Sequence, residues 1–217
     1  MTNNNIASEL RAALTKNQLA VSDEQQTKML QYLELLTRWN QAFNLTAIRE
    51  PAQMVWLHLV DSLVITPFIH GVRIIDVGTG AGLPGIPLAL TMPDKQFVLL
   101  DSNSKKTRFL TQAKLELGLK NIEIIHSRCE DLQPGTTIQG SNERFDTIVS
   151  RAFSSIPVML AKTQHLLADN GVFLAMKGTY PAAEIQDIPQ EFQVSGTHKL
   201  AIHGLDADRH VVCIARK

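Results

Sequence analysis

RIIDVGTGAGLPGIPLAL, residues 73–90, changes character twice along its length. Ile74, Ile75 and Val77, broken only by Asp76, form the near-continuous apolar run of a strand buried on both faces of a parallel sheet. Gly78, Gly80, Gly82 and Gly85 follow closely, and residues 86–90 resume as a short apolar helix. The pattern is strand, glycine turn, helix. Glycine suits the turn because the chain reverses there with positive φ, and because a missing Cβ lets a ligand lie directly on the backbone. Pro84 and Pro87 fall in the first helical turn, where backbone donors lack an intrahelical partner and proline costs little. A tight βα turn without a ligand is the bland alternative, and the density of glycine weighs against it.

Two ligands compete for this turn. From Gly80 it spells G-x-G-x-x-G, the dinucleotide fingerprint, and Asp101 closes the next apolar run, FVLLD, at the spacing of about 20 residues expected of a ribose-binding acid. From Asp76 it spells D-x-G-x-G-x-G, the pattern of S-adenosylmethionine (SAM) methyltransferases. The loop alone does not choose between NAD and SAM.

The wider composition narrows the setting. A chain of 217 residues, 44% hydrophobic, buries one full core, and one domain with an extension is expected. Lys plus Arg and Asp plus Glu both number 21, so no global positive field advertises nucleic acid, and any RNA contact must be local. Cys129 and Cys213 lie far apart in apolar settings, which reads as reduced cysteine in a cytoplasmic protein rather than a disulfide or a metal site. MTNNN has neither a basic region nor an apolar run, and no stretch approaches the ~18 apolar residues of a membrane span. A soluble protein without a membrane partner or a metal, and with no obligate protein partner in evidence, is the expectation.

Ahead of the glycine loop the chain reads as helix. Residues 6–17 are loosely amphipathic, and Ser22 with Gln25 has capping-box spacing, which starts a second helix at Asp23. Met29, Leu33, Leu36, Trp39 and Phe43 give it one apolar face. At its end Asn44 and Thr46 suit a cap and bend. Pro51 opens a third helix that Pro67 should stop, and on it His58, Asp61 and Ser62 share one face. Three groups on successive turns of one helix do not make a hydrolytic triad. Asp61 fixing the His58 tautomer is the expected use, with the face either locking this cap to the sheet or edging the substrate mouth.

Behind the loop strands and helices alternate. Strands are expected over 97–101, 121–127, 145–153 and 171–178, and helices over the segment carrying Lys105, Lys106, Arg108 and Lys114 and over 157–168. Ligands of open α/β sheets bind beyond the carboxyl ends of the strands. Gly78, Asp101, Cys129, Glu130 and Arg151 should therefore converge. FQVSGTHKLAI and HVVCIARK, joined by a turn-like HGLDADR, should be antiparallel neighbours. A parallel sheet ending in such a hairpin is a methyltransferase arrangement, and it favours SAM over NAD.

With these pieces in view, the chain resembles the bacterial small-subunit ribosomal RNA methyltransferase G family, also called glucose-inhibited division protein B. The matching segments are WNQAFNLTAIRE, the HxxDS face, DVGTGAGLPGIPLA, LLDSNSKKTRFL, SRCED, FDTIVSRAF, LAMKG and DADRHVVCIARK. The resemblance implies a class I SAM-dependent, Rossmann-like fold with an N-terminal helical extension, residues 1–70, on a methyltransferase domain, residues 71–217. It implies formation of 7-methylguanosine in a hairpin loop near the decoding centre of 16S rRNA, within the 30S subunit, with S-adenosylhomocysteine as product. SAM contacts in that family match Gly78, Leu83, Cys129, Glu130 and Arg151, to which the motif reading adds Gly80 and Asp101. Ala81, where proline is frequent, and a long loop over 136–142 are departures that remove no contacting group.

Nitrogen 7 of guanine carries a lone pair and no proton, so its methylation requires neither a general base nor a metal. No catalytic residue is therefore singled out; Arg151, Asn44 and His58 are positioning candidates, and Phe153 is a candidate platform for a splayed guanine or else a core residue. Lys105, Lys106 and Arg108 read as a solvated face or as phosphate contacts. An NAD(P)-dependent oxidoreductase, a non-catalytic SAM-binding regulator and a small-molecule methyltransferase are the rival readings.

Overall fold

The computed structural model describes residues 3–135 and 144–217, so the long loop read over 136–142 lies outside the described residues. The chain opens with α1 (Asn3–Lys16) and α2 (Asp23–Phe43). The capping box forms at Ser22, whose Oγ accepts from Gln25 N while Gln25 Oε1 accepts from Ser22 N. Met29, Tyr32, Leu33 and Leu36 are buried along α2, and Trp39 packs edge-on to Phe109; Phe43, expected on the same stripe, is exposed. Asn44 ends the helix in the left-handed region at φ 50°.

The third helix is not the uniform α-helix expected between the two prolines. It runs as α3 (Pro51–Met54), a π turn (Val55–Val60) and α4 (Asp61–Leu63), followed by a 3₁₀ turn at Thr66–Phe68 that contains Pro67. A π turn holds more residues per revolution than an α turn, so side chains at i and i+3 no longer stack as in an α-helix. Among the described residues, the His58 and Asp61 side chains form no hydrogen bond with each other and take other partners.

From Arg73 the chain alternates: β1 (Arg73–Val77), α5 (Gly85–Thr91), β2 (Gln96–Asp101), α6 (Ser104–Leu117), β3 (Ile122–His126), β4 (Phe145–Arg151), α7 (Ile156–Thr163), β5 (Leu167–Lys177), α8 (Ala182–Gln186), β6 (Phe192–Lys199) and β7 (His210–Arg216). The strand order is β3-β2-β1-β4-β5-β7-β6. β1 to β5 pair in parallel, and β7 is antiparallel to both β5 and β6. Composition explains why the last strand lies inside β6: Val211, Val212 and Ile214 are buried, whereas β6 carries exposed Gln193, Ser195 and Lys199 and suits an edge.

The sheet has two covered faces. Ile74, Phe97, Leu99, Val149 and Leu174 join α5, α6 and the N-terminal helices in one buried cluster. Ile75, Val98, Ile148, Phe173 and Val212 meet Met159 and Leu160 of α7 on the other. After β3 the chain returns to pair β4 with β1, so the strand order reverses between these neighbours. A crevice opens at the carboxyl ends of strands where such a reversal occurs.

Candidate active site

The glycine turn occupies that crevice, with Gly78 at φ 68° and Gly80 at φ 63°, a region that costs an L-residue roughly 1–2 kcal/mol. The two differ in their surroundings. A Cβ on Gly78 would come within 2.5 Å of the Phe153 ring, whereas one on Gly80 would meet only Gly78 O and Lys106 Nζ, both at an ordinary 3.9 Å. The turn is fastened from three sides. Gly78 N and Thr79 N donate to Leu100 O, Thr79 Oγ1 and Gly85 N donate to Asp76 Oδ2 at 2.6 and 2.8 Å, and the buried Tyr32 hydroxyl of α2 donates to Ala81 O at 2.7 Å. Burial pushes the Asp76 carboxyl up to about 6 although both of its bonds pull it down, and its buried Oδ1 has no hydrogen-bond partner among the described residues.

Beside the turn lies a cleft of about 380 Å³, within the range of small-molecule sites, lined in part by Gly78, Asp101, Lys106, Cys129, Glu130 and Phe153. Asp101 closes β2 and is buried; its Oδ2 accepts from Gly80 N at 2.9 Å and its Oδ1 from Asn103 N at 2.8 Å, with Lys106 Nζ at 3.6 Å. Glu130 accepts a hydrogen bond from the Cys129 thiol at 2.9 Å on one oxygen and from Lys162 Nζ at 2.8 Å on the other. The thiol and the lysine hold the Glu130 carboxyl down at about 2, and burial, reinforced by Glu130, pushes the thiol up to about 12. Cys129 is thus a neutral hydrogen-bond donor rather than a thiolate nucleophile at neutral pH.

Gly78, Asp101, Cys129 and Glu130 meet at this cleft as their strand ends suggested. Gly80 borders it through its bond to Asp101, and Leu83 is buried within the turn. Arg151 takes a different direction: its Nη1 donates to Leu57 O at 3.0 Å and to Asp61 Oδ2 at 2.9 Å. Asp61 accepts Arg209 Nε on its other oxygen at 2.6 Å. The expected Asp61–His58 pairing is therefore wrong. His58 Nε2 pairs instead with Thr46 Oγ1 at 2.9 Å, and burial followed by the Arg151 charge pushes the ring down to about 4. Asn44 is the exposed α2 cap, its side chain accepting from Arg49 at 3.1 Å. Phe153 lies over Gly78 and against the α7 face of the core, where it lines the cleft rather than standing free as a platform. Lys106 and Lys162 reach the cleft, while Lys105 and Arg108 are exposed on α6. Tyr32 and Lys162 were missed in the sequence because nothing local says where an apolar stripe or a lone helical lysine will be aimed.

A sheet of this order, with a glycine turn after β1, an acid closing β2 and an antiparallel last strand inside the edge, is the fold of class I SAM-dependent methyltransferases. Coclaurine N-methyltransferase, solved with S-adenosylhomocysteine, superimposes at a TM-score of 0.58 over 99% of this chain and 94% of its own, at 9% identity. Magnesium protoporphyrin IX methyltransferase from Synechocystis, solved with SAM, does so at 0.54 over 91% and 86%, at 12% identity. The family model for rRNA small subunit methyltransferase G matches residues 25–212, and the chain belongs to that family. Ribosomal RNA small subunit methyltransferase G of Marinobacter nauticus is 48% identical over 96% of this chain and 94% of its own length, and that of Shewanella amazonensis 47% over 97% and 99%. The dinucleotide reading of the glycines falls away with this assignment. No described helix is long and apolar enough to cross a membrane, and among the described residues no three His, Cys, Asp or Glu side chains cluster to hold a metal.

Proposed function

We propose that this chain methylates nitrogen 7 of a single guanosine in the decoding-region hairpin loop of 16S rRNA, acting in the cytoplasm on the 30S subunit. The observation that carries the reading is the meeting of Gly78, Asp101, Cys129 and Glu130 around one cleft in a chain of this family. These residues suit SAM: Asp101 offers carboxylate oxygens to ribose hydroxyls, the Cys129–Glu130 segment borders the adenine side, and the open backbone at Gly80 leaves room for the amino-acid half. Leu83 shapes the turn from within.

Bound SAM supplies a methyl group on a cationic sulfur, so the acceptor needs only a lone pair. Guanine nitrogen 7 has one, and the chain's task is to orient it and exclude water. The titratable groups near the cleft fit that task, because Cys129 is kept protonated, Glu130 is engaged by Lys162 and His58 is buried against Thr46. None is poised as a base. Positioning alone accounts for ~7–11 kcal/mol of barrier in well-oriented reactions. The major groove of A-form RNA is too deep and narrow for side chains to read, so the guanine must come from a loop.

Residues 1–70 are read as a helical extension and 71–217 as the methyltransferase domain, working as one structural unit. Tyr32 on the glycine turn and Gln25 Nε2 on Leu90 O at 3.0 Å support this.

The test is transfer from labelled SAM to small subunits lacking the modification, mapped by chain cleavage at 7-methylguanosine. Label at one guanosine near the decoding centre is expected, with loss in Arg151→Ala. SAM binding without label would favour a regulator or a small-molecule methyltransferase, and absence of SAM binding would overturn the reading.

A further inference from the structure

Asp61 is 3% exposed and is the common acceptor for two arginines from distant parts of the chain, Arg151 at the end of β4 and Arg209 just before β7. Each guanidinium takes a separate oxygen, so Asp61 grips Arg151 by one tooth only. Leu57 O accepts from the same Nη1. Among the described residues, Nε and Nη2 of Arg151 donate no hydrogen bond. A guanidinium tethered in this way keeps a planar two-donor edge, the geometry that matches a carboxylate. Arg209 engages Oδ1, and the contact of Asp61 with Arg151 is the single Nη1–Oδ2 bond, which leaves that edge uncovered.

The surroundings indicate which carboxylate the edge serves. The Arg151 charge reaches Asp76, which anchors the glycine turn, and Tyr32, whose hydroxyl holds Ala81 of that turn. β1 and β4 pair with Asp76 opposite Val149, so Arg151, two residues further along, is level with Gly78 and shares the face of Val149. Its bonds to Leu57 O and Asp61 turn it toward the N-terminal helices, whereas Asp101, Cys129 and Glu130 line the cleft. A cofactor with its nucleoside in the cleft directs its amino-acid end toward the turn.

We propose that Asp61 is a positioning residue: with Leu57 O it holds Arg151 by Nη1 so that the Nε–Nη2 edge is presented to the α-carboxylate of SAM, and Arg209 anchors the other oxygen of Asp61. The inference rests on the SAM reading above. It ties a residue of the N-terminal extension, and through Arg209 the β6–β7 loop, to cofactor recognition.

The test compares SAM with decarboxylated SAM, identical except for the carboxylate, by calorimetric titration of the full chain. The native protein should bind SAM the more tightly by about tenfold or more, in line with a charge-assisted pair. Asp61→Asn should lose most of that preference through weaker SAM binding, with decarboxylated SAM little changed, and Asp61→Glu should restore part of it. Arg151→Lys, which keeps the charge and loses the fork, should behave as Asp61→Asn does and decides the matter if Asp61→Asn does not fold. Equal weakening of both ligands would mean general loosening and would overturn the proposal, as would a native protein without preference. A native protein that binds neither ligand would overturn the SAM reading itself.

Discussion

At the scale of single residues, His58 and Asp76 are two buried titratable groups whose contributions to stability run in opposite directions with pH. The His58 ring takes a proton near 6.5 when unfolded and near 4 when folded. Between those values the unfolded chain binds more protons, so this group's contribution is complete above about 6.5 and is lost as pH falls toward 4. The Asp76 carboxyl, raised from 3.8 to about 6, binds more protons in the folded chain, and its contribution is complete below 3.8 and lost as pH rises to 6. His58→Gln removes the first effect only. Its deficit in urea-unfolding free energy should shrink by about 2.4 kcal/mol between pH 7 and pH 4.5, roughly 1.8 units of proton linkage at ~1.4 kcal/mol per unit. A deficit that does not vary with pH would show that the ring is not held neutral. The glycines give a second contrast. Gly80→Ala should cost roughly 1–2 kcal/mol of stability for its backbone while sharply weakening SAM binding, since its Cβ enters the open side of the turn. Gly78→Ala should destabilise more, because it also displaces Phe153. That Gly78, Asp101, Cys129 and Glu130 line one cleft was legible because a parallel strand delivers whatever follows its last apolar residue to one edge. The partners of Asp61 were not, since Arg151 and Arg209 lie 90 and 148 positions away.

At the scale of elements, α2 is capped at its start by Ser22 and touches the glycine turn at mid-length through Tyr32. Ser22 caps it far from the cleft, so Ser22→Ala should cost about 1 kcal/mol of stability and leave SAM affinity unchanged. Tyr32 reaches the glycine turn, so Tyr32→Phe leaves the Ala81 carbonyl without its buried donor. A loss of ~1–3 kcal/mol is expected together with a raised KM for SAM. Thermal unfolding with SAM titration distinguishes the two variants; an unchanged KM in Tyr32→Phe would show that the turn holds its shape without α2. The capping box could be read from two residues three apart, because that interaction is local. The π turn at Val55–Val60 had no such signal, and the α-helical spacing assumed between the two prolines led to the wrong partner for Asp61.

At the scale of the whole molecule, charge is balanced, and binding to a polyanion must be local. Lys105 and Arg108 are exposed on α6, next to Lys106 at the cleft. Replacing Lys105 and Arg108 together by alanine should weaken affinity for the small subunit and flatten its salt dependence by up to about 1.4 in log–log slope, at ~0.7 per single-strand phosphate contact. SAM affinity should not change. An unaltered slope would assign the two side chains to the solvated face.

Taken alone, the sequence determined the strand, glycine turn and helix at residues 73–90, the alternation that follows, the antiparallel close and the acids at the strand ends. Each rests on local chemistry: positive φ at Gly78 and Gly80, apolar runs that must be buried on both faces, and proline confined to a first turn. The tertiary structure alone decided that Asp61 binds Arg151 and Arg209, that His58 turns to Thr46, that Phe153 covers Gly78 and that Tyr32 fastens the turn. Those pairings join side chains brought together by packing of the helical cap on the sheet. Long-range ion pairs and ring contacts leave no period in a sequence, because their geometry exists only once both elements are in place.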